Sequence, residues 1–322
     1  MDLTYAFIFL VFFLGASVGS FLNVVIYRVP HGLSVVKPRS YCPKCSTPIP
    51  SWQNIPVLSW IILRGQCAYC GVKISPRYVL VELAMGILAL ALFFDFAGMD
   101  LSAEKLSQLD LLNQVLGPFI VYSGFVATLV AISFIDLDYF IIPDEMTLPG
   151  TVLGVVGTYL VGHNLGLSPE DGLIGALSGA GFIIVIILGY GLLTGREGMG
   201  GGDWKLMAFI GAFLGWQSLG FVLLAGSIQG LLFALIFRRS FAVDELPPDP
   251  LELAQMARED ISPQRAELSV EESSETAAES VGETAFSQLA VPFGPFLSLG
   301  AIEFLFFRRE IMDWMATLVN PL

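Results

Sequence analysis

Long apolar stretches alternate with short polar ones along this chain. Apolar runs near 4–27, 79–97, 115–135, 147–163, 172–193, 206–220, 221–237 and 290–307 read as about eight membrane helices. Helices are the default because backbone in lipid has to satisfy its own hydrogen bonds. Only a break around Gly215, Trp216 and Gln217 separates the sixth run from the seventh. The predicted fold class is an all-α polytopic membrane protein with a small domain outside the membrane after the first helix. The expected domains are a first membrane helix at 1–27, a four-cysteine domain at 28–78 and a membrane bundle at 79–240. An acidic, disordered cytoplasmic loop is expected at 241–288, and a last membrane helix with the C-terminus at 289–322. No internal repeat is evident.

Composition supports the membrane reading. Of 322 residues, 55 % are hydrophobic and only 14 % charged, with a mean hydropathy of +0.72. Soluble domains carry about 25 % charge. The net charge of −13 excludes a nucleic-acid binder, which needs a basic surface. The charge is also unevenly placed. Residues 241–288 hold 12 of the 29 acidic residues against Arg258 and Arg265, which leaves −3 for the rest. Residues 28–78 hold seven Lys or Arg and no acid.

That basic stretch sets the expected orientation. The first run has Asp2 and no basic residue before it, unlike a cleavable signal peptide. The positive-inside rule puts 28–78 in the cytoplasm, together with 136–146 and 194–205. Arg238 and Arg239 agree with this topology, whereas Arg308 and Arg309 fall on the wrong side.

All four cysteines form one pattern, Cys42-Pro-Lys-Cys45 and Cys67-Ala-Tyr-Cys70, separated by 21 residues. Two such knuckles suit a tetrahedral zinc held by four thiolates, a closed and therefore structural site. Two disulfides are the alternative. His31 and His163 are not expected among the ligands.

Carboxylates at membrane-helix ends are costly and so are functional candidates. One group is Asp136, Asp138, Asp144 and Glu145, after the third run. The other is Asp203, in Gly198-Met-Gly200-Gly-Gly202-Asp203-Trp-Lys205. Both fall on the same predicted membrane face. The glycines free the backbone to adopt positive φ and to approach an extended peptide closely. Two carboxylates sharing a proton can activate water and protonate a leaving amine, as in aspartic proteases. The H-E-x-x-H pattern is absent. Two rival readings remain at this level: a proton or cation transporter using the same aspartates, and a zinc scaffold that only recruits partners. The residues alone do not choose among Asp136, Asp138 and Asp144.

These features together resemble the prepilin peptidases, the bacterial type IV leader peptidases. Gly15-Ala-Ser-Val-Gly19-Ser-Phe-Leu-Asn23-Val-Val-Ile-Tyr-Arg28 looks like the family's first-span signature. The double cysteine loop, Ser75-Pro-Arg77-Tyr78 with Glu82, the two aspartate motifs and Val291-Pro-Phe-Gly-Pro295-Phe follow in order. The acidic segment 241–288 is longer than the resemblance leads one to expect. The resemblance implies a catalytic pair of Asp136 and Asp203, with Asp136 heading a D-x6-Pro pattern that ends at Pro143. Beside it, Gly200, Gly202, Lys205 and Glu82 are motif or substrate-contact candidates. Lys205 is a membrane-surface anchor or else tunes Asp203 or contacts substrate. Glu82 is a substrate or zinc-loop contact or else a structural polar pair, and Asp144 is expected as a helix N-cap. The implied substrates are prepilins or pseudopilins with a basic leader, cut after a Gly at the cytoplasmic face of the bacterial inner membrane. The implied cofactors are zinc and, for N-methylation of the new terminus, S-adenosylmethionine. Helix ends then make Asp203 the base and Asp136 the acid.

Overall fold

The computed structural model describes residues 3–98, 110–194, 200–237 and 292–319. The acidic segment 241–288, Gly198 and Arg196 lie outside the described residues. The described part is helical: α1 (Leu3–Arg28), α2 (Leu58–Ile62), α3 (Arg77–Ala97), α4 (Gly117–Tyr139), α5 (Asp144–Val161), α6 (Asp171–Thr194), α7 (Asp203–Leu214), α8 (Gln217–Phe237), α9 (Gly294–Phe306) and α10 (Arg308–Val319). A π-helical turn at Leu111–Leu116 leads into α4.

Five helical stretches are long and apolar enough to cross a membrane: Tyr5–Arg28, Arg77–Ala97, Leu111–Tyr139, Asp171–Thr194 and Gln217–Ile236. Large apolar side chains such as Leu153, Leu160, Leu192, Leu193 and Ile236 point outward, as a bilayer requires and water penalises. The protein is therefore a multi-pass, all-α membrane protein. The expected run at 206–220 is corrected in its bounds. The chain leaves α7 at Gly215, whose φ of +75 only glycine adopts freely, and Gln217 already starts α8. At 12 residues α7 is about 18 Å long, short of the roughly 30 Å hydrocarbon layer.

Burial identifies the centre. In α4's apolar window 61 % is buried, against 17 % for α8, so α4 is the core post and α8 lies at the rim. Every residue of α7 from Leu206 to Leu214 is buried, the signature of a helix enclosed on all sides. It packs on α5 and α6, while α9 packs on α8 and α4, and α1 packs on α3. The α6–α7 contact is backbone on backbone. A Cβ at Gly211 would lie 2.2 Å from the Gly175 carbonyl oxygen, and one at Gly175 would lie 2.1 Å from that of Gly211. Small residues permit such an approach, and van der Waals contact and polar bonds then hold helices that lipid does not drive together. Thr158 adds a hydroxyl donated to the Ala212 carbonyl at 2.7 Å.

The misplaced arginines of the topology have a local explanation. Arg308 pairs with Asp95 at 3.1 Å, at the end of α3 remote from Asp136. Its charge is neutralised by an acid of the bundle.

Residues 40–49 and 65–74 reveal a duplication that the sequence conceals. In each, the first cysteine's amide bonds to the residue five on, Cys42 to Thr47 and Cys67 to Val72. The residue after the second cysteine bonds back, Ser46 to Cys42 and Gly71 to Cys67. An outer bond closes the turn, Ile49 to Ser40 and Ile74 to Gly65. Ser46 and Gly71 share positive φ, 54 and 69. Beyond the cysteines, almost no side chain is common to the two.

Gly211→Ala forces the α6–α7 seam apart. We expect a loss of about 1–3 kcal/mol, read as a lower unfolding temperature of the chain in detergent.

Candidate active site

Asp136 lies in the last turn of α4. That helix stops because Phe140 takes the left-handed conformation (φ 56) and returns its amide to the Asp136 carbonyl at 3.0 Å. Ile141 and Ile142 run on to Pro143, whose missing N–H and fixed φ start α5. Asp203 is the first residue of α7, after a turn in which its amide bonds to the Gly200 carbonyl. Asp136 is 5 % and Asp203 7 % exposed, and Ile142 lies against both Gly294, which bonds to Asp136, and Gly202, which precedes Asp203.

Ion pairing separates the three aspartates that the sequence left equivalent. Asp138 pairs with Arg77 at 2.7 Å, and Arg77 also donates to the Phe134 carbonyl and covers the Phe134 ring. Asp144 pairs with Lys205. Among the described residues no cation pairs with Asp136 or Asp203. Asp144 is not the N-cap that was expected. Pro143 occupies that position, and Asp144 is the first helical residue. Lys205 bridges α7 to α5 instead of facing Asp203, and it lies over the Trp204 ring.

The C-terminal Pro-Phe-Gly-Pro segment supplies a part that sequence reasoning missed. The amide of Gly294 donates to Asp136 Oδ2 at 3.0 Å, and a Cβ at that position would lie 2.6 Å from the same oxygen. Only glycine lets the start of α9 come this close. Asp136 thus faces the N-terminus of one helix while Asp203 begins another. Helix dipoles therefore no longer distinguish acid from base, and the expected division of roles loses its basis. The glycine expectation is also corrected. None of Gly200, Gly201 or Gly202 has positive φ. Gly202 provides room, since a Cβ there would lie 2.8 Å from Ile142 Cβ, and Gly200 makes only ordinary contact with Asp203.

Glu82, on α3, accepts the Val57 amide at 2.7 Å. Val57 is the centre of a γ-turn with φ 63 and ψ −51, closed by the Leu58 amide on the Pro56 carbonyl at 2.6 Å. A β-branched residue is strained in that region. The Glu82 carboxylate therefore clamps a strained loop to the bundle. Asn23 Nδ2 donates to the Tyr78 carbonyl at 3.0 Å, joining α1 to the first turn of α3. A second missed pair lies deeper, where Gln229 donates to Glu303 at 2.9 Å across α8 and α9. An acid inside an apolar run was the signal that could have found it.

The sulfur atoms of Cys42, Cys45, Cys67 and Cys70 lie within 4.8 Å of one another. Cys42 Sγ and Cys70 Sγ are 3.8 Å apart, and a tetrahedron with metal–sulfur arms of ~2.3 Å has edges of about 3.8 Å. The Thr47 hydroxyl and amide pull the Cys45 thiol down to about 6. The amides of Cys70 and Tyr69 lower Cys67. These bonds favour thiolate at Cys45 and Cys67, the form a metal binds, whereas at Cys70 the Val72 amide is outweighed by burial and the neighbouring thiols, which push it up to about 11. His31 bonds to the Tyr27 carbonyl, and neither histidine joins the cluster.

Fold and site together define a polytopic membrane protein with two carboxylates buried at one end of the bundle, beside a four-cysteine loop. The chain belongs to the Type IV leader peptidase family, whose domain matches residues 123–235, with Asp136 and Asp203 inside it. The Bacterial Peptidase A24 N-terminal domain matches residues 13–96, which contain the four cysteines and Glu82. Three relatives are each called a prepilin leader peptidase/N-methyltransferase. That of Neisseria gonorrhoeae is 37 % identical over 254 residues, covering 70 % of this chain and 80 % of the relative. That of Aeromonas hydrophila is 38 % identical over 251 residues, covering 70 % and 79 %. That of Myxococcus xanthus is 41 % identical over 226 residues, 70 % of this chain but 61 % of the relative. No solved structure matches significantly.

Glu82→Ala removes a hydrogen bond to a carboxylate, worth about 1.5–3 kcal/mol. Hydrogen exchange across residues 51–65 should accelerate by about tenfold or more. Unchanged exchange overturns the clamp.

Proposed function

We propose that this chain is a membrane aspartyl endopeptidase. It removes the basic leader from type IV prepilins or pseudopilins after a Gly, with Asp136 and Asp203 as the catalytic pair. The observation that carries the reading is a pair of buried carboxylates without a cationic partner among the described residues, in a chain of the leader peptidase family. One carboxylate takes a proton from water as the water oxygen bonds to the scissile carbonyl carbon. The other gives a proton to the leaving amine nitrogen as the carbon–nitrogen bond breaks. Gly200–Gly202 and Ile142 line the approach to Asp203, where an extended segment of substrate docks. The acid-free basic loop 28–78 supports a cytoplasmic active site, in keeping with a multi-pass inner-membrane protein.

Zinc fits the four thiols in number, softness and spacing. Bound there it neutralises thiolates that would otherwise repel, and it locks the two knuckles together. All four positions are filled by sulfur, so its part is structural. The relatives' names carry N-methylation as a second activity, and with it S-adenosylmethionine as methyl donor. The cavity at the Asp136 end holds arginines and no carboxylate among its lining residues. It does not fit a donor of net positive charge.

The test is cleavage of a prepilin-like peptide by the full chain in liposomes. Asp136→Asn and Asp203→Asn should each slow cleavage by at least about 10³-fold. Asp138→Asn and Asp144→Asn should change it by less than about tenfold, because each meets only a partly exposed cation. Folded Asp136 and Asp203 variants that still cut would reject the paired-carboxylate mechanism and favour proton or cation transport. Metal analysis should find about one zinc per chain. Cys42→Ser should lose it and open residues 40–74 to protease.

A further inference from the structure

We infer that the groove between α1 and the four-cysteine loop binds the phosphate headgroup of an anionic phospholipid. The groove has a volume of about 560 Å³ and is lined by Phe21, Val24 and Arg28 of α1 and by Arg39, Ser40 and Asn54 of the loop. Arg28 is the informative residue. It is only 8 % exposed. Of its five N–H donors, one is used among the described residues, by the Ser34 carbonyl at 2.9 Å. No carboxylate pairs with it among the described residues, and residues 28–78 contain none.

A guanidinium withdrawn from water without an anion carries a desolvation cost. The negative end of α1 offsets only part of it. A phosphate oxygen pair matches the free fork of Arg28 in geometry and charge. Arg39 stands at the rim with its side chain exposed and adds a second cation. Ser40 and Asn54 offer polar contacts for the rest of a headgroup.

Position separates a lipid from a soluble anion. Leu10, Leu14, Val18 and Phe21 form an exposed apolar stripe on α1 that leads to the groove. Their spacing of three or four residues keeps them on one helix face. Acyl chains lying on that stripe bring a headgroup to Arg28 at the membrane surface, where basic pockets collect anionic lipid. The groove is at the same end of the bundle as the carboxylate pair, since the His31 ring beyond α1 meets the Tyr139 ring edge-on at 5.4 Å. A lipid held there braces the loop against α1.

The experiment is native mass spectrometry of the full chain in detergent, titrated with phosphatidylglycerol or phosphatidylcholine. This readout does not depend on peptidase activity. The wild type should retain one phosphatidylglycerol and no phosphatidylcholine. Arg28→Gln should lose it. Arg39→Gln, an exposed change that leaves the fold intact, should weaken it by about fivefold. Equal retention of both lipids, or wild-type retention by Arg39→Gln, overturns the proposal. Displacement of the lipid by inorganic phosphate at matched concentration also overturns it, and makes a soluble anion the occupant.

Discussion

Two carboxylates buried at one end of an apolar bundle are expensive, and most of the structure around them can be read as the means of holding them. Neither can be stabilised by a salt bridge if the pair is to pass a proton. The nearby cations are accordingly engaged elsewhere, Arg77 by Asp138 and Lys205 by Asp144. Backbone takes their place. The Gly294 amide reaches Asp136, and Asp203 begins a helix, so each carboxylate meets peptide dipoles that need no counter-ion of their own. Short helices follow from this requirement. The helices α7 and α9 both start at the carboxylates, and their N-termini have to lie within the bundle at that level.

The same requirement explains the close packing behind the site. The Gly175–Gly211 contact draws α6 and α7 together until their backbones touch, which fixes the height at which Asp203 emerges. Ile142 fills the space between Gly202 and Gly294, so the segment after Asp136 spaces both partners of the pair. On the other side, Glu82 ties the strained turn at Val57 to α3. The four-cysteine loop is thereby fastened to the helix that also presents Arg77 to Asp138. Knuckles, clamp and carboxylates form one mechanically connected end of the molecule.

Much of this was legible in the chain. The apolar runs marked the helices because a bilayer admits little else, and the cysteine spacing marked a four-sulfur cluster because each C-x2-C turn presents two sulfurs to one point. The two aspartate motifs were visible as charges beside apolar runs. The duplication of the knuckles was not, because it resides in backbone hydrogen bonds and φ angles that Ser46 and Gly71 share while their side chains differ. The Gly294 contact was hidden for the same reason, since a peptide N–H has no letter of its own.

The sequence by itself determined the class of protein, the membrane helices, the sulfur cluster and a short set of acids beside the ends of apolar runs. These depend on local composition and spacing, which act over a few turns of chain. Tertiary structure alone decided which acid of that set stands beside Asp203, where α7 ends and which cation each carboxylate meets. Those outcomes depend on partners 61 or 158 residues apart, whose approach is set by helix packing. Packing depends on shape summed over many side chains, and no single stretch of sequence contains it.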